Sequence, residues 1–258
     1  MDLRLKGKKA LIVGASKNIG AAIAQNLADE GCKLFLIARD ESKLKDMCHS
    51  LGDKQAGHGY LAMDLRKEGE PTEAAQEAMR WAGGVDVVIH NVGGGLGYKD
   101  VLGPVGDWED AWRFNVGIAI EMNRILIPPM RQKKWGRVVH ISSIVAELGE
   151  PFGEFSGALP YVAAKAYMNA YVKGLGRAVA RDNVIVSGVM PGALFSQGKF
   201  WDRMLKENPL KVKDFIDHFY PVGRLGKPEE IAPFVSLLAS DLAGFASGAL
   251  IPVSGGQV

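Results

Sequence analysis

The chain has 258 residues, 47% of them hydrophobic and 23% charged, with a formal net charge of +2. It is long enough to bury a core without disulfide or metal staples, and its charge gives no broad field to draw nucleic acid or a membrane surface. Cys32 and Cys48 lack zinc-ligand or redox spacing, and no apolar run in "MDLRLKGKKALIVG" is long enough for a signal core or a membrane span, so a reduced, cytoplasmic setting is expected.

From the amino end, "KALIVG" (9–14) reads as a first strand. After it, Ile19, Ile23 and Leu27 recur at helical spacing, with Gly31 at the place of a helix C-terminal cap. "KLFLIA" (33–38) follows, then the helical "DESKLKDMCHSL", the strand "HGYLAM" (58–63) and the helical "PTEAAQEAMRWA". "DVVIHN" (86–91) precedes a long helical stretch over about 107–127, and "GRVVHIS" (136–142) precedes another over about 158–181. "NVIVSGV" (183–189), the helical "KPEEIAPFVSLLAS" and "GALIPV" (248–253) complete the series. Strands this continuously apolar are buried on both faces, as in a parallel sheet. The alternation implies one α/β domain over 1–258, doubly wound around about seven parallel strands. The one long irregular stretch, about 192–226, is expected to be a substrate lid.

The turn in "LIVGASKNIGAAIA" joins a strand to a helix through Gly14 and Gly20. A helix N-terminus offers free N–H groups and a positive dipole end, which suit a pyrophosphate. By itself this spacing also fits a plain tight turn. Further on come "NVGGG" (91–95), Asn115 in "FNVG", Ser143 in "ISS", Tyr161 and Lys165 in "YVAAK", "MPGALFS" and "GRLGKPEEIA". In this order and spacing they resemble the motifs of the short-chain dehydrogenase/reductase family, and 3-oxoacyl-(acyl-carrier-protein) reductases within it. Val13 stands where the family has threonine, and Asn18 replaces a glycine. Asparagine tolerates the left-handed backbone such a turn needs.

The resemblance implies a Rossmann fold and a catalytic set of Asn115, Ser143, Tyr161 and Lys165. It places a nicotinamide cofactor against Gly14, Ser16, Lys17, Asn18, Ile19, Gly20, Arg39, Asp64, Leu65, Asn91, Gly93, Pro191, Gly192, Leu194 and Ser196, with Tyr161 and Lys165 shared. Within the second apolar run the strand proper, "KLFLI", is expected to end at Ile37; the family's NAD-type acid follows the strand directly, and here that position is Ala38. With Arg39 next to it and Lys17 in the loop, NADP(H) is the expected cofactor; Asp40, about twenty residues beyond the loop, keeps NAD(H) open. In the family Asn115 holds a water that links Lys165 to solvent.

Tyr161 and Lys165 lie four apart on one helix face. A cation about 5 Å from a phenol favours the phenolate by roughly 3 kcal/mol, on the order of two pKa units, so Lys165 is expected to lower the Tyr161 pKa. Ser143 can bond the substrate oxygen; Ser142 competes, but the family uses the second serine of the pair. His90 and His140 read as packed strand-end residues, and no cluster has metal spacing. The gap from Ser143 to Tyr161 is longer than the family's, which places Phe152 and Phe155 at the site's mouth. Ser187 and Ser254 stand where many relatives have asparagine and aspartate.

The function implied is NADPH-dependent reduction of a carbonyl to an alcohol, a 3-oxoacyl thioester being one candidate substrate. Lys133, Lys134 and Arg177 are the cations that would meet an acidic carrier protein. The alternatives are a dehydrogenase of a small polar or cyclic alcohol, such as a sugar or steroid, and a regulator that binds NADP(H) without turnover. Phe200, Trp201, Met204, Leu205, Phe215, Phe219 and Tyr220 in the lid favour an apolar substrate. Spare apolar faces on the 107–127 and 158–181 helices suggest a homo-oligomer, a tetramer or dimer.

Overall fold

Seven apolar runs become the strands β1 (Lys9–Val13), β2 (Lys33–Ala38), β3 (Gly59–Ala62), β4 (Val87–His90), β5 (Gly136–Ile141), β6 (Val184–Pro191) and β7 (Leu250–Val253). They form one sheet in the order β3-β2-β1-β4-β5-β6-β7, with every pairing parallel. The computed structural model describes residues 1–52, 57–98, 100–149, 159–198 and 200–258.

Alternate residues of each central strand enter two cores. Leu11, Val13, Ile37, Val88 and Val138 face the layer of α3 (Glu70–Ala82), α5 (Ile118–Gln132) and α7 (Leu159–Val179). Ile12, Leu34, Leu36, Ile89 and Val139 face α1 (Asn18–Asp29) and α10 (Pro228–Leu238). Complete burial of such a side chain stabilises the fold by about 1.5–3 kcal/mol. A hydrogen bond of 2.6 Å from Ser236 Oγ to Asn26 Oδ1 joins α10 to α1.

The remaining helices are α2 (Glu41–Ser50), α4 (Val105–Trp112), α6 (Val145–Leu148), α8 (Phe200–Glu207) and α9 (Pro209–Phe219). Glu30 caps α1, and Gly31 follows at φ +80° with its N–H on the Ala28 carbonyl at 2.8 Å, so the helix stops where its glycine indicated. Pro228 opens α10, and Glu230 accepts the Lys227 N–H at 2.8 Å.

Two segments differ from expectation. The stretch 107–127 is α4, one turn of π-helix (Arg113–Gly117) and α5, which runs past Pro128 and Pro129 to Gln132. Those prolines remove two backbone donors, yet buried Ile127 and Met130 keep the last turn on the sheet. The stretch expected to be irregular holds α8 and α9, divided at Asn208 with Pro209 at the start of the second helix.

β1 lies between β2 and β4, so the crossovers leave β1 in opposite directions. A crevice opens at the carboxyl ends of such strands, and the residues singled out from the sequence converge there.

Candidate active site

Ser143 follows β5, while Tyr161 and Lys165 stand one turn apart on α7. Lys165 is buried at 3% exposure, and its Nζ donates to the Ile141 carbonyl at 2.7 Å. The same Nζ is 5.7 Å from the centre of the Tyr161 ring. Asn115 lies in the π-turn; its Nδ2 donates to the carbonyls of Ala111 at 2.9 Å and Gly94 at 3.2 Å, and its Oδ1 accepts the Gly94 N–H at 2.8 Å. It therefore bonds its own helix and pins the loop after β4. A Cβ on Gly93 would sit 2.6 Å from Asn115 Oδ1 and 3.2 Å from Lys165 Nζ. These two side chains thus flank one glycine, and any larger residue there would push them apart.

The expected electrostatics need correction. The Tyr161 pKa is raised: burial is the larger influence, and a hydrogen bond from Ser143 partly offsets it. Lys165 is itself pulled down to about 8 by burial. Both charged forms lose solvation in the same pocket, and the ammonium is turned to a carbonyl, so burial outweighs its attraction for the phenolate.

Ser142 takes the other role of the serine pair. It is buried and donates to Asn169 Oδ1 at 2.6 Å, which leaves Ser143, half-buried, to face the crevice. Below them His90 and His140 stack at 4.8 Å between ring centres, because β4 and β5 pair these residues directly. Asn123 Oδ1 accepts from His90 Nε2 at 2.9 Å, and Asn123 Nδ2 donates to Tyr171 Oη at 3.1 Å. Burial holds the His90 pKa down to about 4 and that of His140 well below the usual range. Both are packed strand residues, as their places at the ends of apolar runs implied.

The glycine turn has the shape expected of a phosphate loop. Gly14 has φ +88° and Asn18 φ +52°, so asparagine does take up the left-handed position. A Cβ on Gly20 would collide with the Gly14 carbonyl, which also accepts from Asn91 Nδ2 at 2.8 Å. Ser16 and Ile19 are half-buried beside it, and Lys17 is exposed as the residue before α1. β2 extends one residue beyond Ile37 to Ala38, and exposed Arg39 follows.

Asp40 is already engaged. It caps α2 through the Lys43 N–H at 3.1 Å and forms an ion pair with the Lys43 side chain, whose hydrogen bond is the chief cause of its lowered pKa. Asp64 is gripped by Arg66 through Nε at 3.2 Å and Nη2 at 3.0 Å; its pKa falls mainly through Arg66, with a smaller contribution from the Arg39 charge. Leu65 beside it is buried. Arg66 was not singled out in the sequence, although its place two residues after Asp64 was the available signal. A helix N-terminus, a glycine without room for a Cβ, and cations beside acids that are already paired together fit a dinucleotide carrying an extra phosphate.

The family model described as enoyl-(acyl carrier protein) reductase matches residues 14–257. The chain belongs to the short-chain dehydrogenase/reductase family. It is 30% identical to the 3-oxoacyl-(acyl-carrier-protein) reductase FabG of Aquifex aeolicus, over 100% of both chains. It is 31% identical to the FabG of Vibrio cholerae over 99% of each. Among solved structures, an L-sorbose reductase from Gluconobacter frateurii, complexed with NADPH and L-sorbose, superposes with a TM-score of 0.88 at 28% identity, covering 100% of this chain and 98% of that one.

Within this short-chain dehydrogenase/reductase, Pro191 ends β6 and Gly192 follows it. Leu194 bridges to Gly226, and half-buried Ser196 shares a groove of about 690 Å³ with Asn18, which brings the turn after β6 to the glycine loop. The lid aromatics mostly meet one another. Trp201 stacks on Phe215 at 4.6 Å, Phe200 meets Trp201 edge to face at 5.0 Å, and Phe215 packs on Phe219 and Tyr220. Phe215, Tyr220 and Leu225 are the buried centre of this cluster, so these rings chiefly build a small core of their own. Phe152 and Phe155 lie outside the described residues. No described helix is long and apolar enough to cross a membrane.

Proposed function

We propose that the chain is a cytoplasmic, NADPH-dependent reductase that converts a carbonyl to an alcohol by reversible hydride transfer. The observation that carries this reading is the convergence of Asn115, Ser143, Tyr161 and Lys165 at the carboxyl ends of β4 and β5, beside a ribose end whose acids are already paired. Gly14 and the start of α1 would hold the pyrophosphate, Arg39 and Lys17 the 2′-phosphate, and Lys165 the nicotinamide ribose. When bound, the cofactor supplies the hydride.

Burial keeps Tyr161 protonated at neutral pH, the form that can give a proton to the substrate oxygen. Ser143 donates to the same oxygen, where negative charge gathers. Lys165 stays charged below about pH 8 and stabilises the phenolate left behind. Asn115 holds the loop after β4 against this pair, and the family resemblance assigns it the water that would resupply the proton.

The FabG relatives support a 3-oxoacyl thioester as substrate. A second reading, a small polar carbonyl compound, draws on two observations. Lys133 and Lys134 are ion-paired with Asp86 and Asp182, and Lys133 also donates to the Val85 carbonyl at 2.8 Å, just before β4 and so at the sheet end opposite the site. Arg177 alone of the three expected docking cations is exposed without a described ion pair. The sorbose reductase likeness points the same way. NADPH consumption should be measured over a panel of 3-oxoacyl thioesters, keto sugars and cyclic ketones, with Tyr161→Phe as control. NADPH binding without turnover on any of them would make the protein a regulator instead.

The reading includes self-association. Trp112 on α4 and Tyr167 on α7 meet edge to face at 6.1 Å and remain 38% and 49% exposed, an aromatic patch suited to a second copy. Light scattering of the wild type and of Tyr167→Glu tests it.

A further inference from the structure

Ala193 follows the Pro191–Gly192 turn and is held from two sides. Its N–H donates to Tyr220 Oη at 2.6 Å, and its carbonyl accepts the Gly226 N–H at 3.1 Å. Next along the chain, the Phe195 N–H donates to the Gly226 carbonyl at 2.8 Å. Tyr220 ends α9, with its own N–H on the Ile216 carbonyl at 2.8 Å, and is only 3% exposed. Its ring belongs to the aromatic core of the lid, 5.5 Å from Phe215. One side chain therefore has its ring in the lid and its hydroxyl on the turn that leaves β6.

The end of the chain closes this joint. Val222 donates to the Gly255 carbonyl at 3.2 Å, and a Cβ on Gly255 would stand 2.7 Å from Val222 Cγ1 and 3.5 Å from Tyr220 Cδ1. A Cβ on Gly192 would stand 2.9 Å from Gln257 Oε1. Beside these close approaches a cavity of about 80 Å³, lined by Gly192, Ala193, Leu194 and Tyr220, leaves the turn room to shift once a bond that holds it is lost.

We propose that Tyr220 is a positioning residue that holds the Pro191–Leu194 turn in the shape that receives the nicotinamide, so that lid position and nicotinamide binding are coupled through its hydroxyl. This rests on the reading of the chain as an NADPH-dependent reductase. The Ala193 N–H is part-buried, so without its acceptor it carries a desolvation penalty, and losing the hydroxyl releases the Ala193 peptide to find another orientation. The phosphates would be held elsewhere, at the glycine loop and beyond β2, and would not sense the change.

Tyr220→Phe removes only the hydroxyl and keeps the ring in the lid core. Binding of NADPH and of 2′-phospho-ADP-ribose, which lacks nicotinamide, should be measured for wild type and variant by calorimetry. The expected result is about tenfold weaker NADPH binding with unchanged binding of the nicotinamide-free ligand, and a melting temperature within a few degrees of wild type. Unchanged NADPH affinity would overturn the proposal, as would equal weakening of both ligands, which marks a general structural role. A wild-type protein that binds neither ligand refutes the reductase reading itself, an outcome distinct from either of these.

Discussion

Beneath the crevice, the groups proposed to carry the chemistry and their neighbours are fixed by hydrogen bonds: Lys165 to the Ile141 carbonyl, Asn115 to Ala111 and Gly94, and Ser142, next to Ser143, to Asn169. Above it, from α8 to Tyr220, the chain is held chiefly by rings packed on rings. Hydrogen bonds are directional and set a side chain to within tenths of an ångström, whereas apolar packing tolerates sliding. The floor is thus suited to proton transfer, and the lid to taking up more than one position over it. The lid meets the body through a few bonds at Ala193, Gly226 and Gly255, and these are where the two behaviours join.

The sharpest break of the floor is Tyr161→Phe. It removes the proton donor without disturbing Lys165 and should lower turnover by about two to four orders of magnitude. In wild type, kcat/KM for NADPH should fall on an alkaline limb near the Lys165 value of about 8, since this ratio reports the free enzyme. Near wild-type turnover in Tyr161→Phe would remove the phenol from the mechanism.

A second test separates the floor from the lid by acid. In the unfolded chain His90 titrates near 6.5, but in the fold it stays neutral down to about 4, and burial likewise holds His140 well below its usual range. Between these values the unfolded state binds more protons, so the contribution is fully present above pH 6.5 and is lost as pH falls toward 4. For His90 alone this amounts to about 3 kcal/mol. Denaturant unfolding across this range should show the loss, and the double variant His90→Asn, His140→Asn should flatten it. An equally steep dependence in the double variant would place the acid sensitivity elsewhere.

The stacked histidines also show the limits of reading the sequence. Each was recognisable as the end of an apolar run, but fifty residues separate them, and only the register of β4 against β5 brings them together. The strands were legible because residues such as Leu11, Ile12, Leu36 and Ile37 are buried on both faces and leave an unbroken apolar run. The left-handed Asn18 was legible because few residue types tolerate that backbone. The sign of the Tyr161 shift was not: spacing gives the distance to Lys165, while burial depends on every element packed around the pair. Nor were α8 and α9 legible, since their stability comes from aromatic contacts within the lid rather than from a face turned to the sheet.

At the cofactor end the comparison is sharpened by exposure. Arg39 is exposed, unlike Lys165, so its attraction for a 2′-phosphate is screened by salt. Arg39→Ala with Ala38→Asp should weaken NADPH binding by about 10- to 100-fold and improve NADH binding, with the wild-type preference shrinking as salt rises. Equal wild-type affinity for NADH and NADPH would end the assignment of Arg39 and Lys17 to a phosphate.

The smallest effect expected is in the lid itself. Local opening is easiest where few bonds tie a segment to the main core, and α8 and α9 pack on a small core of their own. Amide exchange in α8 and α9 should therefore be faster than in α7 in the free protein, by a factor that reflects local rather than global opening. With cofactor and substrate both bound, exchange from Phe200 to Phe219 should slow while α7, already protected, changes little. The Tyr220 hydroxyl adds a further condition, because in Tyr220→Phe the cofactor should slow lid exchange less than it does in wild type. If α8 and α9 are protected to the same degree in the free and ternary states, the segment is a fixed wall. The contrast between a hydrogen-bonded floor and a sliding lid would then be one of composition only, with no consequence for motion.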